Sequence, residues 1–342
     1  MIGYRDDIEK VAALELPWEK LEGCNILVTG ATGLLGGCLV EVLMARRDAR
    51  YQVWATGRDE ERARQCLSRF AGDSRFHFLR WDVTQPLSSD VPFHYIIHAA
   101  SSASPNFFAK QPVETMLANI LGVRNLMEYG IRHDMHRLLF VSTGEVYGEG
   151  DGREFTEDYS GYVNPLSARS CYPSSKRAAE TLCASYGAEH GADYVIARPC
   201  HTYGPHFTPQ DNRVYAQFIR NILRGEDIVM KSTGAQFRSW CYVVDTASAL
   251  LHILLKGQSG EAYNVADPSS NISIRELAEM VASIGNRRVV IELPEDAEKS
   301  GYNPVTRSVF SIDRLSQLGW TLEGTMHDKL RRTIVSALAN GQ

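Results

Sequence analysis

The segment NILVTGATGLLGG, residues 25–37, constrains the fold more than any other part of the sequence. An apolar run with β-branched residues predicts a strand over 25–29, and the amphipathic stretch behind it predicts a helix. Between them, Gly30, Gly33 and Gly36 form a GxxGxxG turn. Glycines let a backbone come close to a pyrophosphate, and the N-terminus of the next helix attracts its negative charge. In this context the turn is predicted to bind a dinucleotide, the alternative being a ligand-free connection.

Strands and helices continue to alternate up to about residue 200. Further strands are predicted at residues 51–57, 75–82, 94–100, 137–143 and 193–199. Such alternation predicts an α/β fold, a Rossmann-type doubly wound parallel sheet with helices on both faces. We expect an N-terminal helical extension (1–22), an NAD(P)-binding Rossmann domain (23–199) and a smaller C-terminal α/β substrate-binding part (200–342). Segment 238–266 is predicted to return to the Rossmann domain.

The composition argues against several other classes of protein. The formal net charge is −5 without a long run of either sign, so no nucleic-acid polymer is expected as a partner. No stretch approaches the ~18 apolar residues of a membrane span, and the N-terminus lacks the apolar core of a signal peptide. The seven cysteines form no CxxC pair or Cys/His cluster, so we expect no metal site and no disulfide framework. Their odd number fits a reducing cytoplasm.

Tyr172 and Lys176 form a second constellation, one turn apart in a helix predicted over 172–189. An ammonium near a phenol is expected to lower the phenol's pKa from about 10 toward the working range. The pair would then supply a general base that also returns its proton as an acid. The spacing alone leaves open an exposed tyrosine on a charged helix.

The end of the second strand bears on which dinucleotide binds. Enzymes that use NAD usually carry an acid there for the ribose 2′-hydroxyl, whereas this chain has Gly57 followed by Arg58. The missing carboxylate and the arginine favour NADP over NAD. Asp59 could pair with Arg58 or reach the ribose itself. Asp82, after the third strand, is predicted to face the adenine, or else to be an ordinary carboxylate at a strand end.

With the glycine turn and the Tyr/Lys pair in one chain, the sequence resembles the extended short-chain dehydrogenase/reductase superfamily, and more narrowly its nucleotide-sugar epimerases, dehydratases and decarboxylases. The resemblance covers nearly the whole chain after residue 23. It rests on GATGLLG, HAAS (98–101), Asn119, STGEVYGE (142–149), YPSSK (172–176), RPCHTYGP (198–205), RSWCYVVD (238–245) and LGW (318–320).

Within that group the chain resembles the UDP-glucuronate decarboxylases, through TEDYSGYVNPLSARSCYPSSKRAAETLC and through DNRVYAQFI with RSWCYVVD. The resemblance implies a tightly bound NAD(P), a nucleotide-diphosphate sugar as substrate, with a UDP-sugar favoured, and a transient 4-keto sugar. From the ketone, loss of carbon dioxide, loss of water or return of the hydride to the other face would each complete a cycle. A non-catalytic dinucleotide sensor is the remaining alternative, although such proteins generally lack the tyrosine or the lysine.

The predicted site residues fall into three groups. The cofactor contacts are Gly30, Thr32, Gly33, Leu34, Leu35, Gly36, Arg58, Asp82, Val83, Ala99, Ala100, Ser101, Asn119, Tyr172, Lys176 and Arg198. The substrate contacts are Ser102, Thr143, Glu145, His201, Arg213, Arg238 and Arg307. The catalytic residues are Thr143, Glu145, Tyr172 and Lys176.

The resemblance also implies individual roles. Thr143, rather than Ser142, would hold the sugar near O4, and Glu145 would act after oxidation, unless it is a structural carboxylate. Gly144 stands where the decarboxylases have serine and the 4,6-dehydratases have aspartate; because a glycine donates no proton, dehydration is disfavoured. His201 replaces a usual asparagine near the diphosphate, where it could pair with phosphate or pack in a loop.

Two further expectations concern Arg238 and the assembly. A guanidinium binds carboxylate or phosphate through two parallel bonds, so Arg238 is predicted to contact the substrate, a surface ion pair being the alternative. Many relatives dimerise through a four-helix contact. The apolar helix predicted at 113–131 and the Tyr/Lys helix would form it here, which predicts a homodimer.

Overall fold

The computed structural model describes residues 3–101, 103, 105–208, 211–293 and 306–339. Its strands are β1 (Asn25–Thr29), β2 (Gln52–Gly57), β3 (Phe76–Arg80), β4 (Tyr95–His98), β5 (Arg137–Val141), β6 (Tyr194–Pro199), β7 (His201–Tyr203), β8 (Ile228–Met230), β9 (Phe237–Tyr242), β10 (Ala262–Val265), β11 (Asp267–Ser273), β12 (Val289–Ile291) and β13 (Arg307–Ser308). Its helices are α1 (Tyr4–Ala12), α2 (Leu34–Ala45), α3 (Glu60–Leu67), α4 (Pro105–Lys110), α5 (Pro112–Arg132), α6 (Cys171–His190), α7 (Val214–Leu223), α8 (Val243–Lys256), α9 (Ile274–Ile284), α10 (Asp313–Gln317) and α11 (Met326–Ala339).

A seven-stranded parallel sheet forms the body of the protein, in the order β10-β6-β5-β4-β1-β2-β3. Strand order reverses between β1 and β4, and in open α/β sheets ligands bind in the crevice at such a switch point. The predicted α/β class and Rossmann topology are therefore confirmed. The first predicted strand is observed with the predicted bounds, and the predicted Tyr/Lys helix is α6.

Alternation along β1 divides the core between the two faces of this sheet. Ile26 and Val28 pack into the cluster that includes α1, α2 and α8, whereas Leu27 packs with Val123 and Leu126 of α5 on the other face. All five of these side chains are buried. A strand covered on both faces needs apolar residues at every position, which is why β1 reads as a continuous apolar run.

Helix α1 belongs to the predicted N-terminal extension and packs against α2 and α8. Its Asp7 carboxylate accepts a hydrogen bond from Arg332 of α11 at 2.6 Å and one from the Tyr242 hydroxyl at 3.2 Å. Because all three side chains are largely buried, these bonds fix α1 across the ends of β9 and α11.

Beyond residue 200 the chain builds a second, smaller sheet. β9 pairs with β11 on one side and with β7 and β13 on the other, and β8 pairs with β12 in a separate two-stranded unit. Within segment 238–266, β9 thus joins the small sheet, while α8 packs against the large sheet and β10 extends it beside β6. β10 was not predicted from the sequence. The domain division itself stays a prediction.

Candidate active site

The glycine turn between β1 and α2 is closed by direct backbone contact. Gly30 has a φ of +69°, and a Cβ built on it would lie 2.8 Å from the backbone of Ala99 and Ala100, just after β4. A Cβ on Gly36 would lie 2.3 Å from the carbonyl oxygen of Gly30. No larger residue fits at either position, so the turn lies against the strand ends at the switch point.

The same turn offers a site for a pyrophosphate. Gly33 is the N-cap of α2 in an extended conformation and makes no side-chain cap, and the first intrahelical bond runs from Gly37 N to Gly33 O. The amides of Leu34, Leu35 and Gly36 therefore point out of the helix N-terminus, where an anion is favoured. The residues present thus fit a bound dinucleotide.

Arg58 and Arg62 follow the end of β2. A Cβ built on Gly57, the last residue of that strand, would lie 3.4 Å from the Thr32 side chain. Arg58 is exposed. Asp59 caps α3 by accepting the amide of Arg62 at 3.0 Å, so the N-terminus of α3 engages its carboxylate. The Arg62 guanidinium reaches back to donate from Nη2 to the Thr32 carbonyl at 3.1 Å, and its buried Nε has no hydrogen-bond partner among the described residues.

The residues predicted along the middle of the cofactor site support one another. Asn119 is buried on α5, accepts the Ser101 hydroxyl at 2.8 Å and donates to Ser175 of α6 at 2.9 Å. Asp82 accepts from the amide and hydroxyl of Thr84, and the Val83 carbonyl accepts from Asn125. Predicted cofactor contacts for these residues stay predictions. Ser102 lies outside the described residues.

Tyr172 and Lys176 lie on one face of α6, with the ammonium 5.9 Å from the centre of the phenol ring. Both are buried. Burial lowers the pKa of Lys176 to about 7, and its Nζ donates to the Val141 carbonyl at 2.8 Å. Burial, and next the negative charge of Glu145, raise the pKa of Tyr172 to about 12.

The expected lowering of the tyrosine pKa by the lysine is therefore wrong for the protein without ligands. Desolvation outweighs a lysine that bonds a carbonyl instead of the phenol. The Thr143 hydroxyl, by contrast, hydrogen bonds Tyr172 and acts to lower its pKa. Phe108 of α4 stacks on the Tyr172 ring with centroids 4.5 Å apart, which contributes to the burial.

Glu145 follows Thr143 in the 3₁₀ turn after β5, and its amide donates to the Thr143 hydroxyl at 3.3 Å. The Glu145 Oε1 accepts from Nη2 of Arg169 at 2.9 Å, and both side chains are partly exposed. The Arg169 guanidinium also lies over the Phe108 ring, 4.8 Å from its centre. A carboxylate, an arginine and an aromatic ring thus surround the Tyr172 phenol.

Positive charge lines the far side of this group. Arg213 bonds Asp211 through Nε and Nη2, and Arg238 is 4% exposed on β9, where burial lowers its pKa to about 10. Alternation along β9 puts Arg238 on the face of Trp240, whose ring lies 5.2 Å from that of His201. Desolvation, followed by the charges of Arg238 and Arg213, lowers the pKa of His201 from its usual value; because the residue is exposed, the desolvation is only partial. His201 is therefore neutral near pH 7 and would offer a phosphate a hydrogen bond without a charge.

Arg307, a predicted substrate contact, and Arg198, a predicted cofactor contact, both interact with other parts of the protein. Arg307 is exposed and stacks on the ring of Phe237, 5.1 Å from its centre, and register puts it on the face of the small sheet opposite to Arg238. Arg198 bonds Glu180 through Nε and Nη2 and bonds Tyr147 and the Glu157 carbonyl through Nη1. All three of its nitrogens are engaged by the protein, which argues against the predicted cofactor contact.

Sequence reasoning missed Arg62, Phe108 and Arg169. Arg169 stands three residues before Tyr172, one helical turn away, and this spacing could have suggested it. Arg62 follows Arg58 by one turn of α3 in the same way. Phe108 carried no usable signal, because its contact with Tyr172 depends on how α4 crosses α6.

These features define an α/β enzyme with a dinucleotide crevice and a Tyr/Lys pair at the switch point. The chain belongs to the NAD dependent epimerase/dehydratase family, whose model matches residues 26–266. It is 38% identical over 272 residues to UDP-glucuronic acid decarboxylase 6 from Arabidopsis thaliana, covering 80% of this chain and 77% of that one. It is 31% identical over 312 residues to UDP-glucuronic acid decarboxylase 1 from Danio rerio, covering 91% and 72%.

Solved structures agree on the fold. UDP-glucuronic acid 4-epimerase from Bacillus cereus, in complex with UDP-glucuronic acid and NAD, superposes with a TM-score of 0.79 at 23% identity, over 92% of this chain and 98% of that one. dTDP-glucose 4,6-dehydratase from Streptomyces venezuelae, with NAD bound, gives a TM-score of 0.79 at 22% identity, over 92% and 97%. At such identities the likeness concerns the fold alone.

Neither a membrane span nor a metal cluster is found in the part of the chain that the structure describes. None of its described helices is both long and apolar enough to cross a bilayer. No three His, Cys, Asp or Glu side chains among the described residues are grouped to hold a metal ion.

The buried ammonium of Lys176 makes a prediction about stability. Unfolded lysine has a pKa near ~10.4, and in the folded protein the pKa is about 7. Between these values the unfolded state binds more protons, so the free energy of unfolding of the cofactor-free protein rises with pH over that window. Urea unfolding from pH ~7 to ~10 should show the rise in the parent and a flatter profile in Lys176→Met. Equal slopes would contradict the burial of a neutral amine.

Proposed function

We propose that this enzyme acts on a nucleotide-diphosphate sugar, oxidises it at C4 in a transient step and then decarboxylates it, with UDP-glucuronate as the substrate. One observation carries the proposal. Among the described residues, one carboxylate, Glu145, lies next to the Tyr172 phenol and is bonded to Arg169 at 2.9 Å, and residue 144 between Thr143 and Glu145 has no side chain. This arrangement suits chemistry at C5 that needs no acid for a leaving group.

The first step belongs to Tyr172. In the presence of the dinucleotide, which supplies a hydride acceptor and later returns the hydride, the phenolate takes the proton of the C4 hydroxyl. Thr143 bonds the same phenol and is placed to orient that hydroxyl. The Lys176 ammonium lies 5.9 Å from the centre of the ring and, when protonated, would help to hold the bound dinucleotide. With a pKa of about 12, the phenol needs positive charge from the bound cofactor before it ionises near pH 7.

The second step follows from the chemistry of a ketone. A 4-keto sugar with a carboxylate on C5 is a β-keto acid: the bond between C5 and the carboxyl carbon breaks, its electron pair enters the enolate, and carbon dioxide leaves. C5 then takes a proton from solvent, which Glu145 would relay, and Tyr172 returns its proton to O4 when the hydride returns to C4. Arg169 bonds Glu145, and the charge of Arg238 lies close enough to interact with that carboxylate. They offset the repulsion between Glu145 and a substrate carboxylate.

The relatives support this choice. The curated relatives with 36–38% identity over most of the chain are UDP-glucuronic acid decarboxylases. A 4-epimerase is the second candidate, because the bond from Glu145 to Arg169 is also what a structural carboxylate would make. The two candidates differ in whether Glu145 is needed after oxidation.

Substitution of Glu145 tests the proposal. With UDP-glucuronate, Glu145→Gln should still reduce the bound dinucleotide, because oxidation at C4 does not need the carboxylate. Reduced cofactor should then accumulate in a single turnover, seen as absorbance of the reduced nicotinamide, and carbon dioxide release should slow. Tyr172→Phe, the matched control, should block the reduction itself and lower turnover by at least ~10²-fold. Normal turnover by Glu145→Gln, with a C4 epimer as product, would establish the 4-epimerase instead.

We also propose that the bound dinucleotide is NADP and remains bound through purification. Gly57 leaves room beside the ribose, Arg58 is exposed there, and the Arg62 guanidinium lies against Thr32 with one N–H unpaired among the described residues. Two guanidiniums suit a 2′-phosphate better than a 2′-hydroxyl.

The cofactor proposal has a direct test. Denaturation should release NADP, identified by chromatography. Arg58→Ala and Arg62→Ala should each weaken NADP binding by tenfold or more and leave NAD binding nearly unchanged. Arg64→Ala is the control, since Arg64 is on the same helix but pairs with Glu60 in solvent. Release of NAD alone, or equal losses for both dinucleotides, would contradict the preference.

We further propose a homodimer formed through α5 and α6 of two copies. Val113, Met116 and Leu117 are exposed along one side of α5, next to α6. Leu117→Glu should shift the protein from dimer to monomer in light scattering. Leu338→Glu on α11 is the control, because Leu338 is equally helical and 58% exposed against 45% for Leu117. A parent protein that is monomeric at micromolar concentration would refute the contact.

A further inference from the structure

Gly144 lies between the two residues of its segment that face the cleft, Thr143 and Glu145. It opens a right-handed 3₁₀ turn and is not among the described glycines with positive φ. Its backbone conformation is therefore open to any residue. The reason for glycine here must come from what surrounds it.

Phe310 occupies the space that a side chain at 144 would need. A Cβ built on Gly144 would lie 2.2 Å from Cζ and 2.5 Å from Cε1 of that ring. Separations this short do not occur between a Cβ and another carbon, so either the ring or the backbone would have to move. Glycine at 144 and phenylalanine at 310 are thus a matched pair.

The ring has little freedom to move. Phe310 is 1% exposed and packs edge-on against Tyr147 and Phe155, with centroids 5.6 and 5.7 Å apart. Its amide donates to the Ser239 hydroxyl at 3.2 Å. Its neighbours along the chain, residues 309 and 311, both hydrogen bond the backbone of Phe155. Displacing the ring would break a buried cluster, and overpacking such a cluster destabilises a protein.

We infer that Phe310 determines which reaction follows oxidation, by excluding any side-chain acid from position 144; this inference rests on the proposed function. Loss of water from C5 and C6 needs two groups. Glu145 can take the C5 proton, but the C6 hydroxyl leaves only when a second group gives it a proton. Loss of carbon dioxide needs no such group, because the leaving molecule is neutral. Among the described residues the phenol has one carboxylate beside it, Glu145, and a phenyl ring fills the space of a side chain at 144, so the site favours decarboxylation over dehydration.

The steric half of the inference is tested by stability alone. Gly144→Ala should lower the melting temperature by several degrees in the parent and by much less in Phe310→Leu, which lacks the Cε and Cζ atoms. Gly72→Ala is the control, because nothing lies within 4 Å of a Cβ there and its effect should be the same in both backgrounds. Equal losses for Gly144→Ala with and without Phe310→Leu would overturn the pairing, whatever the enzyme's substrate.

The chemical half uses UDP-glucose, which has no carboxylate to lose. The parent should release no dehydrated sugar, as judged by mass spectrometry, whereas Gly144→Asp combined with Phe310→Leu should release the product lighter by one water. Dehydration by the parent would overturn the inference. So would a double variant that is folded and reduces its cofactor with UDP-glucose but forms no dehydrated product. Failure of the proposed function would look different: the parent would neither reduce its cofactor nor release carbon dioxide with UDP-glucuronate, while the stability coupling persisted.

Discussion

The contact between Gly30 and the backbone of Ala99 and Ala100 sets the geometry of the whole molecule. The approach is so close that even one methyl group is excluded, and it joins the first strand to the fourth at the place where strand order reverses. Helix α2 then begins over the crevice with its free amides directed into it. The cofactor crevice, the end of β5 and the start of α6 all lie on the same edge of the sheet as a result.

Burial has more effect than ion pairing on the pKa values of Lys176 and Tyr172 at this edge of the sheet. The pKa of Lys176 is lowered and that of Tyr172 is raised mainly because burial removes both side chains from water. The Tyr172 phenol is therefore neutral near pH 7, whereas the Lys176 amine, with a pKa of about 7, is divided there between its charged and neutral forms. A positively charged nicotinamide would change the balance, since a nearby cation favours the phenolate.

The sequence allowed the body of the fold to be predicted, because each element of it has a local cause. β1 is a continuous apolar run, the glycines after it allow one kind of turn, and α6 carries its tyrosine and lysine at a helical spacing. The small sheet was harder to foresee, since β7 and β13 have only three and two residues and gain their bonds from β9, a distant partner. Tertiary contacts in the site were equally hard to predict, because Phe108 and Phe310 reach it only through packing between distant elements. Arg198 was predicted to contact the cofactor, whereas its observed partners, Glu180 and Tyr147, come from other elements.

Arg198 has a significance of its own. It joins α6, through Glu180, to the segment after β5, through Tyr147 and Glu157; these are the two elements that carry Tyr172 and Glu145. One guanidinium thus bridges the element that carries Tyr172 and the segment that follows Glu145. In a mutational scan scored only by product, Arg198 would be indistinguishable from the residues that do the chemistry. The inherited or selected variants most damaging to such an enzyme need not border its substrate.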